Sequence, residues 1–328
     1  MKKVLLVLFV LVLAFSAFAK GAEEKKAEAM ELVIFNAGSE TEGQMLIDAF
    51  TAKYPNVSVT QLQADSSTVL SRVQLAGDNP DGDVVVLIAQ DSLDVMKDNL
   101  QPYKTANDAK FEAGYKDPEY KWYASSMPLQ ALMYNTDMLK GNDIPKSWYD
   151  LTDPKYYGKI VLANPSSSGS AYAQLYMMYK LTGDLSLAAG IAANGTTYVA
   201  SSTAGPAAVE RGEYALTMTG EKNISTAISN GSPVMYFYPK EGTGRRIEGS
   251  GIIANCKNLE AAKLFMDFLT SKEGAEVIRE MGRRPVSTEV PGPANLPALD
   301  ELPFFEYDAT EAGELKKDLR KNFDAFIQ

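Results

Sequence analysis

Histidine is absent from the 328-residue chain, and its absence removes several chemistries at once. Ser-His-Asp and Cys-His nucleophile systems, HExxH zinc sites and imidazole general bases are all excluded. Cysteine occurs once, at Cys256, so no internal disulfide can form and no lipidated cysteine can tether the start of the chain. Positive charge is scarce: 32 Lys and Arg stand against 42 Asp and Glu, a net charge of −10. An acidic chain of this kind does not suit nucleic acid or an anionic membrane surface, and an anionic ligand would have to be held by local dipoles against the overall field.

Long apolar runs are missing too, except at the start. There MKKVLLVLFVLVLAFSAFAK places Lys2 and Lys3 before an unbroken apolar stretch and the small-residue triplet Ala17-Phe18-Ala19. The pattern predicts a secretory signal peptide over residues 1–19, cleaved before Lys20. From Val4 to Ala19 the run is shorter than the roughly 20 residues of a spanning helix. Cleavage would remove two lysines and no acid, taking the net charge to −12. Residues 20–30, charged and small, read as a flexible leader. The mature chain is expected to be periplasmic, not lipidated, and long enough for two lobes rather than one core.

Strand and helix patterns then alternate. Leu32-Val33-Ile34-Phe35 and Asp83 to Ile88 read as buried strands, with helical spacing over Gly43–Tyr54 and Ser66–Leu75 between them. Met127 to Asn135 reads as an extended crossing into a second lobe. There strands at Ile160–Ala163, Thr197–Ala200 and Tyr214–Met218 alternate with helices at Ala171–Thr182 and Pro206–Arg211. Ser232–Tyr238 and Gly249–Ala254 read as the return, with amphipathic helices over Leu259–Met281 and Glu311–Ile327. The expected fold is α/β with two lobes, each a mostly parallel sheet with helices on both faces. Residues 31–126 and 248–285 would form lobe 1, and 127–247 and 286–328 lobe 2.

Four turns place hydroxyl residues ahead of a helix: Ser39, Ser66-Ser67-Thr68, Ser166 to Ser170, and Ser201-Ser202-Thr203. A helix start offers unpaired N–H donors and a positive dipole end, so each turn is either an ordinary N-cap or an anion cradle. Ser168-Gly169-Ser170 is the strongest, because glycine lets an anion approach the backbone. Gly242-Thr243-Gly244-Arg245-Arg246 lacks both the spacing and the following helix of a phosphate loop, so it reads as a loop near the hinge. Whether Arg246 or Arg284 meets a ligand stays open.

The order of Val33-Ile34-Phe35-Asn36, Leu129 to Asn135, Trp148-Tyr149-Asp150-Leu151, Gly158-Lys159-Ile160, Ser168-Gly169-Ser170, Ala208 to Tyr214 and Ala261 to Leu269 with Lys272-Glu273-Gly274 resembles a known family. It is similar to periplasmic solute-binding proteins of the type II fold, in the group with ferric-ion, phosphonate and sugar-phosphate receptors. The resemblance implies capture of a small solute by hinge closure, an ABC permease in the inner membrane as partner, a monomer, no cofactor and no catalysis. The ferric members bind iron through a residue near the first strand, an acid after the third and an adjacent tyrosine pair. Here those places hold Ser39, Ile88 or Ala89, and Gly220-Glu221. Tyr156-Tyr157 lies in another turn and reads as packing. The anion half matches better, through Ser168, Gly169, Ser170 and Ser202. The expected solute is therefore an organic phosphate or phosphonate, with Ser39, Ser67 and Thr68 closing from lobe 1 and Glu221 accepting from its hydroxyl or ammonium groups. No metal site is expected, and a ferric ion is the alternative cargo.

Overall fold

The computed structural model describes residues 28–305 and 307–327. The expected signal segment, its cleavage point and most of the leader lie outside the described residues.

The chain enters on β1 (Met30–Asn36) and runs through α1 (Glu40–Lys53) to β2 (Val57–Gln63), then through α2 (Ser66–Ala76) to β3 (Val84–Ala89). A short α3 (Gln90–Met96), which the apolar spacing does not signal, follows at once. After β4 (Leu100–Gln101), β5 (Tyr123–Ser126) leads out of this group. The second group holds β6 (Gln130–Asn135), β7 (Val161–Ala163), α4 (Gly169–Thr182), α5 (Ser186–Ala193) and β8 (Thr197–Val199). It continues with α6 (Ala204–Glu210), β9 (Leu216–Gly220), α7 (Glu221–Ser229), β10 (Val234–Phe237) and β11 (Thr243–Gly244). β12 (Glu248–Ile253) returns to the first group, followed by α8 (Leu259–Leu269) and α9 (Lys272–Glu280). The chain closes with β13 (Phe304–Phe305) and α10 (Ala309–Asp324).

Continuous apolar runs in β1 and β3 are explained by burial on both faces. Successive strand residues point to opposite sides. Ile34, Val84 and Val86 accordingly meet Leu46 and Phe50 of α1 and Phe265 and Phe268 of α8. Their neighbours Phe35, Val85 and Ile88 meet Val69 and Val73 of α2 and Leu93 and Met96 of α3. The second group repeats the arrangement. Leu132 and Leu162 pack with Tyr176 and Met177 of α4 and Leu319 and Phe323 of α10. Ala131, Met133 and Val161 pack with Val209 of α6 and Ile224 and Ala227 of α7 on the other face. Two α/β lobes result, each with helices on both faces of its strands.

The sheets are mixed rather than mostly parallel. β1 is parallel to β2 and β3, but β12 is antiparallel to β3, β4 and β5. In the second lobe β6 is antiparallel to both β9 and β10. The reason is the way the chain crosses: β5 leaves at the carboxyl edge of β1 to β3, so the returning β12 must enter there and run the other way. β7 and β8 are parallel, and a bridge from Ile160 to Leu216 sets β9 parallel to β7. The predicted helix over Leu259–Met281 is two helices, because Ser271 caps α9 by accepting from Gly274 N at 3.3 Å. Gly274 also lies so close to the end of α8 that a Cβ there would stand 2.3 Å from the Phe268 carbonyl oxygen.

Candidate functional site

β7, β8 and β9 point the same way, so the turns after them meet along one edge, the place where α/β proteins bind ligands. Residue Ser168 caps α4, accepting from Ala171 N at 3.2 Å, and is 7% exposed. At Gly169 no atom lies within 4 Å of where a Cβ would stand, so the approach to the start of α4 is open. Ser170 Oγ donates to Gln130 Oε1 at 3.2 Å, and Gln174 Nε2 donates to the same oxygen at 2.8 Å. Gln130 Nε2 lies 3.6 Å from where a Cβ on Gly220 would stand, and Gly220 is the N-cap of α7. Two helix starts therefore converge on one buried amide. Ser202 joins them through its carbonyl, which accepts from Asn223 Nδ2 at 3.2 Å; the same amide donates to Thr219 Oγ1 at 2.7 Å.

The first lobe contributes differently from what its hydroxyls suggest. Ser39 is the N-cap of α1 in a capping box: its Oγ accepts from Glu42 N at 3.3 Å, while its own N–H donates to Glu42 Oε2 at 2.7 Å. Ser67 and Thr68 are not a cradle here. Their N–H groups donate to Asp65 Oδ1 at 3.0 and 3.1 Å, and Thr68 Oγ1 donates to Asp65 Oδ2 at 2.7 Å. A carboxylate already occupies the α2 start, and a second anion would be repelled from it. These bonds, that from Thr68 Oγ1 foremost, hold the Asp65 carboxyl below its ordinary range.

Glu221 also has a different place from the one expected. It is 2% exposed, and its oxygens accept from Arg284 Nε at 3.0 Å and Nη2 at 2.8 Å and from the Tyr238 hydroxyl. Arg284 is 3% exposed, and its Nη1 donates to the Pro297 carbonyl at 2.9 Å. Burial and the Glu221 charge push the Tyr238 phenol far above its usual range, so it serves as a neutral donor. Glu221 thus holds the residues beside the crossing, and its oxygens are committed before any solute arrives.

Beside it runs a second network that sequence spacing does not reveal. Glu42 pairs with Arg283 (Nε to Oε1, 2.6 Å) and with Lys222 of α7 (Nζ to Oε1, 2.7 Å). Arg283 continues to Glu248, which accepts from Ser126 Oγ at 3.1 Å. Lys222 to Glu42 joins the α7 start to the α1 start, so the carboxyl edges of the two lobes face each other. Burial raises the Glu42 carboxyl, but Arg283 and Lys222 outweigh it and hold the pKa down at about 2.

Arg246 stacks on Tyr307, 5.7 Å from the ring centroid, and lines a small cavity with Asp91 and Gln90. Tyr156 is packed inside with its hydroxyl on the Asp143 carbonyl at 2.7 Å, while Tyr157 is exposed. Among the described residues no three His, Cys, Asp or Glu side chains gather as a metal-holding group.

A family model described as bacterial extracellular solute-binding protein matches residues 45–303. The chain is 26% identical over 321 residues to an Fe(3+)-binding periplasmic protein of Serratia marcescens, covering 93% of this chain and 90% of that one. It is 26% identical over 296 residues, 84% of each chain, to a putative 2-aminoethylphosphonate-binding periplasmic protein of Salmonella typhimurium. Among solved structures, the periplasmic binding protein AfuA of Actinobacillus pleuropneumoniae with fructose-6-phosphate bound superposes with a TM-score of 0.79. The identity there is 25%, over 90% of this chain and 98% of that one.

Proposed function

The chain belongs to the bacterial extracellular solute-binding proteins, and from that premise we propose that it is the periplasmic receptor of an ABC importer for a small organic phosphate or phosphonate. The two lobes, residues 31–126 with 248–285 and residues 127–247 with 286–328, close on the solute by hinge motion, and the closed form docks on an inner-membrane permease. It acts as a monomer and breaks no bond.

The observation that carries this reading is the open approach to Gly169 at the start of α4, beside the Gln130 amide that Gly220, the N-cap of α7, also adjoins. Backbone N–H groups at a helix start suit an acidic group. In this reading Ser168, Gly169 and Ser170 hold that group and Ser202 flanks it. Ser39 lies across the seam, next to the Glu42 that Lys222 reaches. Glu221 acts through Arg284 and Tyr238 instead of touching the solute. A ferric ion needs several anionic oxygens, and the carboxylate at the family's tyrosine-pair position is here bonded to a guanidinium and a phenol.

Thermal-shift titration tests the reading. Fructose 6-phosphate or 2-aminoethylphosphonate at 100 times its Kd is expected to stabilise the protein by about 2.7 kcal/mol, and ferric citrate to leave the midpoint unchanged. A visible charge-transfer band on iron addition, with no shift from either phosphorus compound, overturns it.

A further inference from the structure

In this acidic chain, four of the six residues from Lys316 to Lys321 are Lys or Arg, all on α10. Lys316 and Arg320, four residues apart, share a helix face. Both lie over the ring of Tyr172, the fourth residue of α4, with Lys316 Nζ 5.6 Å and the Arg320 guanidinium carbon 5.2 Å from its centroid. An open groove runs along this face, lined by Gly313, Lys316, Lys317, Arg320, Lys321 and Asp324.

The ends of the groove are fixed by contacts with both lobes. At one end Lys316 Nζ lies 3.6 Å from Asp91 Oδ2 of α3; at the other Asp324 accepts from Ser166 Oγ at 2.9 and 3.0 Å. The groove lies wholly on α10, whose contacts reach α3 of the first lobe at one end and the turn that opens α4 at the other. Its charge is met only in part: Asp91 pairs with Lys316, and Asp324 stands as one acid among the four cations of the lining. Arg320 Nε is buried and has no hydrogen-bond partner among the described residues. Asp91 is engaged with Lys316, and Asp324 is bonded to Ser166. A ring face draws cations, but two cations over one ring also repel each other, and Asp91 offsets that repulsion from the Lys316 side alone.

We infer that Lys316 and Arg320, seated on Tyr172, form an anion subsite at the lip of the cleft that takes the phosphate or phosphonate group of the solute alongside the α4 start. The inference rests on the reading that the cleft takes an acidic solute, and it adds residues from a helix to which the hydroxyl turns give no clue. A planar guanidinium suits a phosphorus-bound oxygen pair, and the ammonium adds a point charge.

Calorimetric titration of the full mature chain with fructose 6-phosphate, with fructose as the uncharged comparison, tests it. Relative to wild type, K316Q/R320Q is expected to bind fructose 6-phosphate at least about tenfold more weakly and to show a shallower dependence of affinity on salt. R320K, which keeps the charge but loses the planar pair of donors, is expected to bind between wild type and R320Q, and K272Q, which alters an exposed charge on α9, to keep all of the affinity. If the double variant does not fold, K316Q and R320Q singly carry the same expectation at about threefold each. Equal affinity in wild type and K316Q/R320Q overturns the subsite and leaves the proposed function standing. A wild type that binds neither fructose 6-phosphate nor 2-aminoethylphosphonate overturns both.

Discussion

Glu42 and Glu221 are both buried acids at helix starts, yet they answer to different partners. Glu221 meets Arg284 and Tyr238 beside the crossing, whereas Glu42 meets Arg283 of its own lobe and Lys222 of the other. Removing one partner of a buried pair leaves a charge without compensation. Glu42→Gln is therefore expected to lower stability by about 3 kcal/mol at neutral pH. The pKa of Glu42 in the fold, about 2, lies below its usual 4.5, so its contribution is complete above about pH 4.5 and lost as pH falls through about 2. Urea midpoints of wild type and Glu42→Gln should accordingly converge as pH drops through that window. A gap that stays constant from pH 7 to pH 2 would refute the assignment. Ser39 and Glu42 have the spacing of a capping box and so are legible in the sequence. Arg283, 241 positions from Glu42, is not, because spacing along a chain does not report which distant residues the fold brings together.

Among the elements, strands buried on both faces were the most legible, since β1 and β3 are short apolar runs bounded by breaking residues. Strand direction was not. Nothing in Glu248 to Ile253 signals antiparallel entry, which follows from where the chain crosses. Hydroxyl-rich turns were easy to find and harder to tell apart, because a cap that serves its own helix and a cradle that serves a ligand use the same residue types. Asp65 decides the case at α2, and open space at Gly169 separates the case at α4. Asp65→Ala and Ser168→Ala should each cost about 1 kcal/mol as lost caps. Only Ser168→Ala should also weaken capture of fructose 6-phosphate. Equal binding losses in both variants would show that the two helix starts do not differ as described.

For the molecule as a whole, Lys222 to Glu42 and Lys316 to Asp91 tie one lobe to the other at separate points along the seam. Lys222→Gln should shift the solute-free population towards the open form, seen as a larger radius of gyration in X-ray scattering, with closure restored by a saturating solute. An unchanged radius would show that the bridge does not bias closure. The three crossings themselves lie side by side, with Ser126 of β5 opposite Glu248 of β12 and bridged to Pro285. Like a door on a single pin, a body joined along one line has essentially one angle left to vary. One pair of dyes, at the exposed Leu75 and Tyr157 on opposite lobes, would then follow the entire swing as a single number.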